Sequence, residues 1–597
     1  MTQKKLPRLY HARLWLGDAF RNTRLRFGNA LKRRFRKQLP YLVFDLQGDL
    51  PEYTPPPPRW QRFLPMLGLP RSSSSLSLAD LRNAFDRIAA DPRAPGVVLR
   101  LDELNVRWAT AQTLRGLIAT LRAAGKRVLV HCAADFDPLT YFVATAADEI
   151  YLAPPATWQV LGLRSESVFL KDALDLWGIQ AEVVAVSPYK GAAGTLSRTS
   201  MSDEQREMLS WLLDGFYNAL VNAIAEGRNL PPEEVRALID RAPLTAEETT
   251  QAGLVDAVLY LDELPARLTL HDQKDFGPGE GDDPDQTPDL SHVLIPFDEG
   301  RRALLAPIRK RSGKFIALIS IEGTIVPGES RDIPAPLPIP VLGNQQAGAD
   351  SVAQAFREIE ADPRFAAVVL YVNSPGGSAL ASDLIWREVE RVRRKKPVVV
   401  YMGNTAASGG YYVSATADWI VAQPLTVTGS IGVIFMKLLT TGLFSIFSAN
   451  RESIQRGAHA GLFSDSLPLD EERRAVVEKT VRETYDLFKT RVLAGRKRLT
   501  PNTLEPIAGG RVWLGEQALE HGLVDELGDL MRAVDKAKAL VELPAALWTP
   551  VAWVSGGKDG ALPAPFPAET PREWVTYFRR LMDEKVWMLR PFEVEIS

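Results

Sequence analysis

Ala90-Asp91-Pro92-Arg93, followed by Val97-Val98-Leu99, returns 271 residues later as Ala361-Asp362-Pro363-Arg364 followed by Val368-Val369-Leu370. Phe85 and Ile88 return at the same shift as Phe356 and Ile359; Tyr141 to Ile150 matches Tyr411 to Ile420, and Gly253-Leu254-Val255-Asp256 matches Gly522-Leu523-Val524-Asp525. Several matches in one order at nearly one offset mark a duplicated domain. Each copy opens with a short β-rich strand, Tyr41 to Leu46 and Phe315 to Ile321. Amphipathic helices then alternate with apolar strands such as Val97 to Leu101 and Val368 to Val372. That alternation predicts an α/β fold in each copy, with βαβ connections and a mainly parallel sheet.

The rest of the chain divides around the copies, into a basic arm over 1–40, a first repeat over 41–270, an acidic Gly/Pro-rich linker and connecting segment over 271–313, a second repeat over 314–545 and a tail with an amphipathic helix over 546–597. Asp272 to Asp289 holds too few apolar residues to build a core, and Pro334 to Gly343, with four prolines, reads as an exposed loop. At 597 residues, 46% hydrophobic and 24% charged, the chain has a globular composition. Its single cysteine, Cys132, excludes an intrachain disulfide, and six scattered His offer no metal-ligand spacing, so neither metal nor cofactor is expected.

The first 40 residues carry twelve Lys or Arg against Asp18 alone, leaving a net charge of −13 on the remainder. An acidic body disfavours nucleic acid. The arm has no apolar run near the roughly 18 residues of a membrane span or the roughly 7 to 15 of a signal-peptide core. Its Leu9, Leu14, Trp15, Phe20, Leu25, Leu31 and Phe35 interleave with Arg13, Arg21, Arg24, Arg26 and Arg33. This pattern fits a helix lying on an anionic membrane surface, and equally an oligomer-bound arm.

Two copies need equivalent packing residues, but only one needs a given catalytic residue, so differences between them are where chemistry belongs. After the shared strand the second copy has Asn373-Ser374-Pro375-Gly376-Gly377-Ser378 where the first has Asp102-Glu103-Leu104-Asn105-Val106-Arg107. Paired glycines can turn backbone N–H groups toward an oxyanion, or simply turn the chain. The apolar run Val398 to Tyr401 leads into Gly403-Asn404-Thr405-Ala406-Ala407-Ser408-Gly409-Gly410-Tyr411, which puts Ser408 where a strand gives way to a helix N-terminus. Pro138 stands at that position in the first copy. A Ser before two Gly can equally be a plain N-cap, and Ala406 stands where a Gly-x-Ser-x-Gly elbow would have its first Gly. No histidine has a motif around it: His11, His271 and His292 fall in the arm or linker, His131 ends a strand, and His459 and His521 stand alone. A lysine can replace histidine as base when burial lowers its pKa. Lys190, in the loop Ser187-Pro188-Tyr189-Lys190-Gly191-Ala192-Ala193, is the candidate; its counterpart lies near Arg456, which cannot act as a base.

Taken together, the stretches at 373–378 and 406–411, Val427-Thr428-Gly429-Ser430-Ile431-Gly432-Val433, and Tyr189-Lys190 closely resemble the signal peptide peptidase A family in its long, duplicated form, protease IV. The resemblance runs in order over about residues 41 to 545. It implies two tandem ClpP/crotonase-like repeats of ββα units and a serine endopeptidase with Ser408 as nucleophile and Lys190 as general base. Ser430 would hydrogen-bond the lysine, and Gly376, Gly377 and Gly409 would supply the oxyanion hole. It also implies a bowl-shaped homotetramer that degrades cleaved signal peptides and other unstructured polypeptides in a bacterium. Many relatives have a transmembrane anchor where this chain has its basic arm, so peripheral contact with an anionic membrane is expected, on the cytoplasmic or the periplasmic side. The alternatives are a crotonase-fold acyl-CoA hydratase or isomerase, disfavoured because no Glu or Asp lies in the Ser408 turn, and a catalytically inactive membrane scaffold.

Overall fold

A computed structural model describes residues 8–54, 76–272, 293–332, 345–556 and 586–589. The linker from residue 273 on, the proline-rich stretch Pro334 to Gly343 and most of the expected tail helix lie outside the described residues. Apart from its extreme ends, the chain divides into two compact units, one of Leu9–Arg164 and Gly215–Lys310, the other of Ser165–Asp214 and Arg311–Ile596.

The first unit holds a six-stranded parallel sheet in the order Ala257–Val258, Glu149–Leu152, Arg127–Cys132, Gly96–Arg100, Tyr41–Asp45, Leu294–Pro296. The second holds the equivalent strands in the same order: Glu526–Leu527, Trp419–Ala422, Val398–Ala407, Phe365–Ser374, Phe315–Glu322, Val551–Trp553. The central strands are Val/Leu runs buried on both faces, as a helix-covered parallel sheet requires. The covering helices bury one stripe each, Leu78, Leu81, Phe85 and Ile88 on Leu78–Ala89, and Val352, Phe356 and Ile359 on Ala349–Ala361.

The repeated residues satisfy buried main chain. Asp148 and Asp418 each accept from an N–H near the start of an interior strand, Val128 and Val398, at 2.8 Å. Asp256 and Asp525 do the same for Ile150 and Ile420. Lys126 donates to Asp91 O and Ala94 O, and Lys396 to Ile359 O and Asp362 O, beside the repeated Ala-Asp-Pro-Arg turn.

The second unit adds a further sheet, in the order Arg331–Asp332, Gln345–Gly348, Thr324–Val326, Gly376–Ser378, Val586–Leu589, Ile434–Leu439, Gln180–Ala185. Its last strand comes from the sequence of the first repeat and pairs antiparallel with Ile434–Leu439 over six residues. The segment that carries Lys190 therefore folds with the second repeat.

The arm is a helix, Arg8–Phe35. Its polar side packs within its own unit: Asn22, Asn29 and Lys32 donate to the carbonyls of Arg309, Ala306 and Leu304. Leu9, Leu16, Phe20, Phe27 and Leu31, spaced by seven or four residues, form an exposed apolar stripe on the opposite side. Among the described residues, no helix is long and apolar enough to cross a membrane.

Candidate active site

Val398–Ala407 is buried almost throughout and ends at Ser408, where the chain turns into the helix Gly409–Ser414. Ser408 has φ 55° and ψ −112°, a conformation costly for a residue with a side chain. The turn is held by Ser408 N–H, which donates to Gly429 O at 2.8 Å. Although Ser408 occupies the N-cap position, its hydroxyl makes no capping bond. Ser378 shows what an ordinary cap does: its Oγ accepts from Ala381 N–H.

The Ser408 hydroxyl instead meets Lys190. The strand Gln180–Ala185 delivers the chain to a tight turn in which Lys190 N–H donates to Ser187 O, and Ser187 Oγ donates to Gly509 O. Gly510, with φ 98°, lies against the lysine backbone; a Cβ there would come within 2.7 Å of Lys190 Cα. The Arg511 guanidinium covers the Tyr189 ring at 3.8 Å. Held this way, Lys190 is 1% exposed and its Nζ donates to Ser408 Oγ at 2.7 Å, Ser430 O at 2.8 Å and Ser430 Oγ at 2.8 Å. These contacts occupy all three protons of an ammonium. Burial drives the lysine pKa well below its ordinary value of 10.5, because the charged form loses hydration with no carboxylate to compensate. In the neutral form one contact reverses, and the Ser408 hydroxyl can donate to the Nζ lone pair.

The glycine loop lies against the same turn. Gly376 has φ 108°, and its N–H donates to Ser374 Oγ at 3.1 Å, which leaves that N–H already engaged. A Cβ on Gly376 would sit 2.8 Å from Gly409 N, and one on Gly409 would sit 3.1 Å from Gly377 N. Any side chain at these positions would push the loop and the helix end apart.

The structure thus brings Ser408, Lys190, Ser430, Gly376, Gly377 and Gly409 together. Sequence reasoning missed Gly510 and the strand Val586–Leu589, which pairs with the glycine loop. The Gly509-Gly510 pair was the legible signal for the first, and the apolar run Val586-Trp587-Met588-Leu589 for the second. The other candidates lie elsewhere. Pro138 is the first residue of a helix capped by Asp137. Arg456 is exposed and donates to Gln455 O. His131 is buried with Nε2 3.2 Å from Leu259 O, His521 packs on the Trp513 ring, and His459 is exposed. Cys132 is free and buried, its thiol pushed up to about 12.

Comparison with known proteins identifies the family of the chain. The family model of Peptidase family S49 matches residues 120–274 and 390–544, one match in each repeat. The chain is 32% identical over 480 residues to the chloroplastic serine protease SPPA of Arabidopsis thaliana, covering 79% of this chain and 67% of that protein. It is 32% identical over 524 residues to Protease 4 of Haemophilus influenzae, covering 84% of this chain and 79% of that protein. Among solved structures it is similar to a ClpP1 mutant from Listeria monocytogenes, with 14% identity and a TM-score of 0.23 over 36% of this chain and 94% of that one.

Proposed function

This chain belongs to peptidase family S49, and from that premise we propose that it is a serine endopeptidase working through a Ser408/Lys190 dyad on signal peptides and other unstructured polypeptides. The observation that carries the reading is the 2.7 Å contact between Lys190 Nζ and Ser408 Oγ, made by a buried lysine with its pKa lowered. Neutral Lys190 takes the Ser408 proton as Oγ attacks the scissile carbonyl, and the resulting oxyanion is held by the N–H groups of Gly377 and Gly409. Lys190, now protonated, returns a proton to the departing amine, leaving an acyl-enzyme that water hydrolyses by the same steps. Ser430 accepts from Nζ through both its hydroxyl and its carbonyl, which aims the lysine at Ser408. A hydratase of the crotonase type would need carboxylates here, whereas the Lys190 ammonium is bonded by two serines, Ser408 and Ser430. A fluorophosphonate should label the protein on Ser408, mapped by peptide mass spectrometry; labelling elsewhere, or none in protein shown to be folded, would overturn the assignment.

The substrate class follows from access. Ser408 and Lys190 are both buried, and the glycine loop is part of a sheet, so a substrate must arrive as an extended strand. An unstructured polypeptide offers one without first unfolding.

Self-association has its own support. At an offset of 270 the helix Lys171–Leu176 corresponds to Thr441–Ile446. The paired strands Ile434–Leu439 and Gln180–Ala185 then correspond to 164–169 and 450–455, where Val168 and Ile454 are exposed. Pairing these two segments between copies would repeat across chains the contact made within one, and such head-to-tail contacts close into rings, in keeping with a homotetramer. Ile454→Asp should lower the mass measured by light scattering; an unchanged oligomer would remove this edge from the interface.

The exposed stripe of the arm, flanked by Arg13, Arg24 and Arg34, suits an anionic bilayer that it lies on without crossing. About 1 kcal/mol per engaged basic residue suffices for reversible attachment. The full chain should float with anionic vesicles at low salt and separate at high salt. Failure to float at low salt would make the arm a protein contact.

A further inference from the structure

The helix Gly409–Ser414 has only 6 residues, so its direction has to be set by what its side chains reach. Tyr412 does most of this. Its N–H closes the first turn by donating to Ser408 O at 2.8 Å, and its ring, fully buried, packs on Phe488 with centroids 4.7 Å apart. Its hydroxyl donates to Asp383 Oδ1 at 2.6 Å. Asp383 is held in turn by Arg491, whose Nε donates to the same oxygen at 3.1 Å and whose guanidinium lies over the Trp386 ring at 3.5 Å. Burial, reinforced by the bond to Asp383, raises the Tyr412 phenol above its ordinary pKa of 10.0, so the hydroxyl stays a donor.

Asp383 stands on Ala379–Arg393, the helix that leaves the strand Gly376–Ser378 with no residue between. Its neighbour Ser382 donates Oγ to Ser378 O at 2.8 Å, and a Cβ on Gly409 would come within 2.7 Å of that Oγ. The Tyr412–Asp383 bond therefore joins the helix that starts beside Ser408 to the helix that starts at the glycine loop. It sets the gap between the two. Misplacing reacting groups by about 1 Å costs on the order of a hundredfold in rate, so a gap of this kind must be held closely.

The two repeats differ at this tie. At the offset of 270 that relates Tyr411 to Tyr141, Tyr412 corresponds to Phe142; at 271, Asp383 corresponds to Gln112 and Trp386 to Arg115. Phenylalanine has no hydroxyl to donate. Arg115 instead lies over the Phe142 ring at 4.6 Å and donates to Phe142 O and Thr145 Oγ1. Both rings are buried, so packing of the short helix does not by itself call for a Tyr–Asp bond.

We propose that Tyr412 and Asp383 are positioning residues for hydrolysis, acting through the Ser408 turn and the glycine loop without touching the substrate. The proposal rests on Ser408 as nucleophile and is independent of Lys190 as base.

The test measures kcat and KM of the full chain on an unstructured chromogenic peptide, with the melting transition followed for each variant. Tyr412→Phe keeps the ring on Phe488 and should lower kcat by about tenfold or more while KM stays within about twofold. Asp383→Ala should do the same. Asp383→Asn, whose side-chain carbonyl still accepts from Tyr412, should recover most of the loss. Once the hydroxyl is gone its acceptor has no further work, so the Tyr412→Phe/Asp383→Ala double variant should fall within about threefold of either single one. Tyr411→Phe removes an equally buried hydroxyl from the adjacent position and controls for stability: it should melt like Tyr412→Phe and keep a near-native kcat. A near-native kcat in Tyr412→Phe, an Asp383→Asn protein as impaired as Asp383→Ala, or losses that multiply in the double variant overturns the proposal. Hydrolysis that needs Ser408 and Lys190 but is indifferent to Tyr412→Phe would remove the tie and leave the dyad. Hydrolysis that needs Ser408 and Tyr412 but survives Lys190→Arg would leave the positioning role standing and place the base elsewhere.

Discussion

In the first repeat the strand Arg127–Cys132 stops after 6 residues and the next helix starts at Pro138; in the second, Val398–Ala407 runs for 10 and ends on Ser408. The neighbouring strand shows the same contrast, 5 residues in Gly96–Arg100 against 10 in Phe365–Ser374. Behind these ends the repeats are alike: Asp148 and Asp418, Asp256 and Asp525, Lys126 and Lys396 bond equivalent main-chain atoms. An unpaired buried N–H or carbonyl destabilises either repeat equally, so both retain its partner. The strand ends carry no such constraint. The second repeat uses its extra length to pair Thr405 to Ala407 with Val427–Gly429, which fixes the Ser408 turn. The first repeat contributes the strand and loop that bring in Lys190.

The largest test of this contrast is to remove the serine from one repeat and supply one to the other. Ser408→Ala should cut hydrolysis of an unfolded polypeptide by about 10⁴-fold or more at unchanged stability. Pro138→Ser in that background should restore nothing, because the equivalent turn is an ordinary Asp137-capped helix start. Recovery of activity would mean that the first repeat holds a latent site.

The base gives a second, somewhat smaller test. Lys190→Arg keeps the charge but cannot accept a proton, and should be nearly as damaging as Lys190→Ala. The native rate should rise with pH through the lowered lysine pKa, because the neutral form is the active one. A histidine-dependent enzyme would instead follow a group near about 6.5. Ser430→Ala leaves the base in place but loosens its aim, so it should lower kcat and displace that pH profile; a lower kcat with an unmoved profile would reduce Ser430 to a packing residue.

The duplication was legible in the sequence because Asp-Pro-Arg turns, strand-start Asp residues and buried Val runs each have few physical substitutes. Ser408 was legible through its position and through Pro138 opposite. Lys190 was only weakly legible as a base from its surroundings in sequence, because the burial that lowers its pKa comes from Gly432, Ser430 and Gly510, over two hundred residues away. The glycine loop was legible as a glycine pair, but not the engagement of the Gly376 N–H by Ser374 Oγ, which depends on the local turn. The strand Val586–Leu589 was hidden for a similar reason. Four apolar residues near a chain end carry no periodicity long enough to separate strand from helix, and the partners that decide the matter lie at Gly376–Ser378 and Ile434–Leu439.

The smallest expected effect probes the shared scaffold. Tyr141 lies three residues after Pro138 and Tyr411 three after Ser408, both fully buried. Tyr141 Oη donates to Leu254 O at 2.6 Å, and Tyr411 Oη to Leu523 O at 2.9 Å, in the repeated Gly-Leu-Val-Asp turn. Each hydroxyl ties the short helix to the far edge of its own sheet, and neither touches Ser408. Replacing either Tyr by Phe deletes one donor and leaves one buried carbonyl short of a partner, which costs about 1 kcal/mol. The two variants should therefore lower the melting point of their own units by similar, small amounts. Tyr411→Phe should keep kcat within about twofold of native, because the Ser408 turn is held by Gly429 O and not by this hydroxyl. A Tyr411→Phe protein that melts like its Tyr141→Phe counterpart yet loses tenfold or more in kcat would show that the repeated scaffold itself sets the serine, and the division between shared support and unshared chemistry would have to be redrawn around that helix.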